Sequence, residues 1–166
     1  FQQKMSDEEI FDDNFDQDQE DGQFGEEEES LEMKFSQAEA ALYMDKDPNE
    51  ASYLFYEVYC DSRSDNELKG KCLSAAADCI SQVGEPERIG ACLSDILDAL
   101  NDQIIDTNLC GKIIRIMRDN LMHNEEAYTA FLNQVMDVID ANNQLQLYID
   151  LKLRQAELAL KKAEYQ

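Results

Sequence analysis

Asp47-Pro48-Asn49-Glu50 and Glu85-Pro86-Glu87-Arg88 hold the only two prolines of this chain, and an apolar pattern with helical spacing follows each. Proline suits the first helical position, where its missing N–H had no partner to lose. Asp47 is a good N-cap in front of Pro48, and Glu50 adds negative charge to the first turn. Positions 48 and 86 lie 38 residues apart, which leaves room for two helices between the two starts. Working outward from these turns, helix starts fall near residues 31, 48, 66, 86, 107, 125 and 144, a helix-pair period of about 37 to 40 residues. The spacing predicts an all-α chain, a right-handed solenoid of TPR-like helix pairs over residues 31–166 with one continuous core. Residues 1–30 form an acidic N-terminal tail ahead of it. Arrays of this kind bind other proteins more often than they catalyse.

The apolar residues mark the face of each helix. Leu31, Phe35, Ala38 and Leu42 stripe a first helix over 31–45. A second runs over 48–60 and buries Ala51, Leu54, Phe55, Val58 and Tyr59. The third follows Asp65 and stops at Gly84, with Leu68, Cys72, Ala75, Ala76, Cys79, Ile80 and Val83 inward. The fourth, over 86–100, presents Ile89, Cys92, Leu93, Ile96, Leu97 and Leu100. The fifth follows Asp106 or Thr107 with Leu109, Ile113, Ile116, Met117 and Leu121. Asn124 caps a sixth that buries Tyr128, Phe131, Leu132, Val135 and Ile139, and a seventh begins near Asn143.

The chain carries 14 basic and 37 acidic residues, a net charge of −23. Residues 1–29 hold 13 of the acids and only Lys4 as a base. So acidic a chain has no affinity for phosphate backbones and should instead attract basic surfaces on proteins. Residues 1–4 read as the remnant of a protease-site tag, with Met5 as the native start. Ile10, Phe11, Phe15 and Phe24 are too sparse to build a core, so the acidic segment is expected to be disordered alone. The five cysteines, Cys60, Cys72, Cys79, Cys92 and Cys110, show no CxxC spacing and read as free, mostly buried thiols of a reducing compartment. With no signal peptide and no membrane-length apolar run, the expected location is cytoplasm and nucleus.

Catalytic and metal chemistry find little footing. Asp16, Asp18 and Glu20 resemble the start of a calcium loop, but Asp21 stands where the loop needs glycine. Asp95 with Asp98, and Asp137 with Asp140, share a helix side rather than converging across a cleft. His123 sits between helices, where it could cap the carbonyls of the fifth. No metal set and no nucleophile constellation is present, so an enzyme is not expected. Bases cluster at Arg63, Lys69 and Lys71 and again at Lys112, Arg115 and Arg118. In a regular helix Lys69 and Lys71 point about 200° apart, so sharing one anion requires an irregularity, for which Gly70 is suited.

The layout of Met5-Ser6-Asp7-Glu8-Glu9, a long acidic stretch, and then Met44-Asp45-Lys46-Asp47-Pro48-Asn49-Glu50-Ala51 with Phe55 beyond resembles the second-subunit family of the COP9 signalosome. The stretch from Leu145 to Lys162-Ala163-Glu164-Tyr165 is similar to a later helix of that family. Leu68-Lys69-Gly70-Lys71 stands where the family has an aromatic stretch, and the chain has no tryptophan. The proteasome-lid repeat subunit is a close paralogue, to which Ser81–Leu100 is also similar. The resemblance implies a non-catalytic scaffold subunit that works with the other signalosome subunits. It grips a cullin–RING ubiquitin ligase while a zinc protease elsewhere in the complex removes the ubiquitin-like modifier. It also implies an N-terminal fragment lacking a PCI winged-helix module, and an inositol hexakisphosphate contact at Lys71, with Lys69 and Arg63 beside it. The other readings are a proteasome-lid scaffold and a polyacidic chaperone of basic proteins such as histones.

Overall fold

The computed structural model describes residues 28–142 and 145–165. Among them the chain forms seven α-helices and no strand: α1 (Leu31–Tyr43), α2 (Pro48–Cys60), α3 (Asn66–Val83), α4 (Pro86–Asn101), α5 (Thr107–Leu121), α6 (Glu125–Asn142) and α7 (Leu145–Glu164). The calcium-like run Asp16, Asp18, Glu20 and the aromatic residues of the acidic head lie outside the described residues.

Side-chain caps set most of the starts. Asp47 accepts from the Glu50 amide at 3.0 Å, Asp65 from Leu68 at 2.8 Å and Asp106 from Leu109 at 2.7 Å. Asn124 accepts from Ala127 at 3.1 Å, and Ser30 from Met33 at 3.2 Å. Each such cap satisfies an amide that the helix leaves unpaired and is worth about 1 kcal/mol. Gly84 ends α3 with φ of 77°, a left-handed conformation that glycine takes without strain. The first helix stops at Tyr43 rather than at residue 45. The amides of Met44 and Asp45 both turn back to the Ala40 carbonyl, and Lys46 takes φ of 53°, which delivers Asp47 to cap α2. The carbonyl of Leu121 is met by the Asn124 amide at 3.0 Å, so a backbone turn takes the capping position read for His123.

Packing departs from one simple face per helix. The single continuous core expected over 31–166 is instead two clusters that meet on α3. Ala38, Ala41, Ala51, Phe55 and Val58 pack with Cys72, Ala76 and Cys79. Leu73, Ala77 and Ile80, on the other side of α3, join Ile89, Ile96, Ile113, Met117, Phe131, Leu132 and Leu151. Tyr56 and Tyr59 lie against both. Sequence periodicity places one apolar stripe on α3 and misses Leu73 and Ala77, because a helix sandwiched between neighbours is apolar on two sides. Beyond α2, helices pack strongly on the next but one, α3 on α5 and α4 on α6.

Arg88, in the turn after the second proline, ties α4 to α2. Its guanidinium donates to Asn49 Oδ1 at 2.7 Å and Ser52 Oγ at 2.6 Å and lies 4.4 Å from the centre of the Tyr53 ring. Arg88→Ala should lower stability by about 1–2 kcal/mol, and Arg88→Lys should not restore it, since lysine offers no planar fork for both acceptors and the ring. Equal thermal melts for Arg88→Lys and the parent chain would contradict this.

Candidate functional site

A third side of helix α3 is only partly covered, by the end of α1 at one edge and by the α4–α5 connection and α5 at the other. Glu67, Gly70, Lys71, Ser74, Ala75 and Asp78 recur there at helical spacing and floor a cleft of about 640 Å³. Leu42 and Tyr43 of α1 form one wall, and Ile105, Leu109 and Ile116, with Gln103 and Asp106, form the other. The cleft follows α3 from Asn66 to Asp78, about 18 Å or a little over three turns. We call it the trough.

Gly70 explains how the far wall comes so close. A Cβ there would stand 3.0 Å from Leu109 Cδ2 and 3.6 Å from Ile105 Cγ2. The helix runs through Gly70 without a break, so the irregularity expected at that glycine is absent: the residue serves close packing. The wall begins at Gln103, whose φ of 59° turns the α4–α5 connection over α3.

The trough is apolar with an acidic edge. Glu67, Asp78 and Asp106 line it against one lining base, Lys71, which pairs with Glu67 at 3.1 Å. Asp78 accepts from Asn120 Nδ2 at 2.7 Å and Asp106 accepts from a backbone amide.

The three bases expected to hold an anion are placed differently. Lys71 lies on the trough and is tied to Glu67. Lys69 is half-buried on another side of the same regular helix. Arg63 sits in the α2–α3 turn, where its guanidinium clasps Asp61 at 2.8 Å and 3.0 Å and reaches Glu28 at 3.6 Å. Hydrogen bonds from Arg63 hold the Asp61 carboxyl well below the usual carboxylate range. That interaction favours the fold above about pH 4 and fades as the pH falls further, because the unfolded carboxyl takes up its proton first.

The remaining candidates resolve into structural parts. Asp95 accepts from the Tyr56 hydroxyl at 3.0 Å between α4 and α2, while Asp98, Asp137 and Asp140 are exposed. Burial, with Cys92 and Asp95 alongside, pushes the Tyr56 phenol far above its ordinary value. Cys72, Cys79, Cys92 and Cys110 are buried and Cys60 is exposed, all five as free thiols. On α5, Arg118 pairs with Asp119 at 3.0 Å, while Lys112 and Arg115 are exposed. Among the described residues no group of three or more His, Cys, Asp or Glu could hold a metal ion, and no helix is long and apolar enough to cross a membrane.

A second cleft of about 540 Å³ opens where α7 passes the α5–α6 turn, lined by Met122, His123, Glu125, Tyr128, Arg154, Leu158, Lys161, Lys162 and Tyr165. Sequence reading missed both clefts. The trough had a legible signal in the small residues Gly70 and Ser74, one turn apart on the side of α3 away from Cys72. Comparison with known proteins finds no matching family model, no matching curated protein and no matching solved structure.

Proposed function

We propose that this chain is a non-catalytic scaffold, the N-terminal helical-repeat part of a second-subunit protein of the COP9 signalosome. In this reading it is a right-handed solenoid of TPR-like helix pairs with an acidic head, working in cytoplasm and nucleus. It holds a cullin–RING ligase while a neighbouring subunit removes the ubiquitin-like modifier. The observation that carries the scaffold reading is the packing of α3 on α5 and α4 on α6, the next-but-one contacts that stacked helix pairs make, together with the open trough they leave across α3. The partner is proposed from the resemblance of the acidic head and the Asp47-Pro48 turn. Arg63, Lys69 and Lys71 are the proposed neighbours of a bridging inositol hexakisphosphate.

The test is capture of purified cullin–RING complex by the immobilised chain. Retention should weaken as salt rises, because the chain is strongly acidic. Lys71→Glu should reduce retention about tenfold with inositol hexakisphosphate present and change little without it. No retention at low salt, with or without the polyphosphate, would remove the cullin–RING assignment.

A further inference from the structure

We infer that the trough across α3 seats an amphipathic helix of a partner protein, about three turns long, with an apolar stripe flanked by lysine or arginine. The inference rests on the scaffold reading and assigns that scaffold a docking mode.

The shape favours a helix. The floor is a helix with small residues, Gly70 and then Ser74 and Ala75 one turn on. Small side chains along a helix let a second helix approach closely, at the 8–10 Å axial separations typical of packed pairs. The walls on α1 and α5 stand on either side of that floor, so an incoming helix gains two neighbours as well as the floor. Among the described residues there is no strand edge on which an extended peptide could add a ladder.

The chemistry selects its sequence. Leu42, Ala75, Ile104, Ile105 and Leu109 offer apolar contact along the trough. Tyr43, at the lip, is 71% exposed and Met44 beside it 79%, large apolar groups that a partner would cover. Glu67, Asp78 and Asp106 exceed the single lining base, so positive flanks fit and acidic ones are repelled. The net charge of −23 brings basic partners toward the chain, while the trough decides where they settle.

The probe is a synthetic helix of about 14 residues built from leucine and lysine, with leucines at i, i+3, i+4 and i+7, titrated into the full chain. Backbone amide shifts should concentrate at Gly70, Ser74, Ile105 and Leu109. Ser74→Arg, which fills the trough from a site outside both core clusters, should weaken binding about tenfold or more while leaving the helical signal unchanged. The same peptide with glutamate for lysine should not bind. Shifts confined to residues 1–27 or to the α6 surface, or equal affinity of the Ser74→Arg chain, would overturn the proposal. Peptide binding in the trough without cullin–RING capture would refute only the signalosome assignment. Capture that Ser74→Arg leaves intact, with no peptide binding, would refute only the trough.

Discussion

Between about pH 9 and pH 11 the chain is expected to lose its helical signal. The four buried thiols are the cause. Burial pushes Cys72 and Cys110 up to about 11 and Cys79 and Cys92 up to about 12. In the unfolded chain they ionise near their ordinary value of 9.0. The folded state therefore keeps protons that the unfolded state releases, and stability falls as pH rises through this window. Each tenfold displacement of proton affinity is worth about 1.4 kcal/mol, so four thiols together withdraw on the order of 10 kcal/mol by pH 11. Domains have only about 5–15 kcal/mol in reserve. Tyr56, Tyr59 and Tyr128 push the same way, since burial raises all three phenols.

Circular dichroism against pH, with reductant present, measures the loss. Cys79→Ala should be slightly less stable at neutral pH, from the small void it leaves, yet unfold at higher pH than the parent. The crossing of the two stability curves isolates the thiol from any general fragility at high pH. A helical signal unchanged to pH 11, or a Cys79→Ala midpoint below that of the parent, would contradict this account.

The elements that sequence reading recovers are those governed by local chemistry. Asp47, Asp65, Asp106 and Asn124 cap their own helices, Pro48 and Pro86 sit at first helical positions, and Gly84 ends α3 in the left-handed region. All of this depends on residues within a few positions. What depends on several helices at once was not legible. Leu73 and Ala77 look like the flank of α3 until α4 and α5 pack against that helix. Gly70 looks like a weak point in a helix until Leu109 is set against it. At Arg63 and Lys71 closeness in sequence says nothing of the carboxylates that pair with them, Asp61 and Glu67, with which an incoming anion would have to compete. In a chain with so many acids, a lysine or arginine readily finds a carboxylate of its own.

Because the core is two clusters rather than one, two phenylalanines of equal burial should fail in different ways. Phe131 is fully buried and stacks on Tyr128 with ring centres 6.1 Å apart, inside the larger cluster that joins α3 to α7. Phe131→Ala should cost about 3–5 kcal/mol, a large part of the total, and release the whole chain in one transition. Phe55 is 2% exposed and meets Phe35 edge-on at 5.7 Å, inside the smaller cluster of α1, α2 and one side of α3. Phe55→Ala removes a comparable volume, but α3 remains held from its other side by Leu73, Ala77 and Ile80. Opening should then be local. Amide hydrogen exchange followed by mass spectrometry should show α1 and α2 exchanging early while α4 to α6 keep their protection. Exchange raised equally along the chain would show instead that the two clusters fold as one. The consequence reaches the trough, because Leu42 and Tyr43 of α1 are one of its walls. Phe55→Ala should therefore lose the basic helical peptide while α5 and α6 remain folded, making docking depend on the less firmly held end of the molecule.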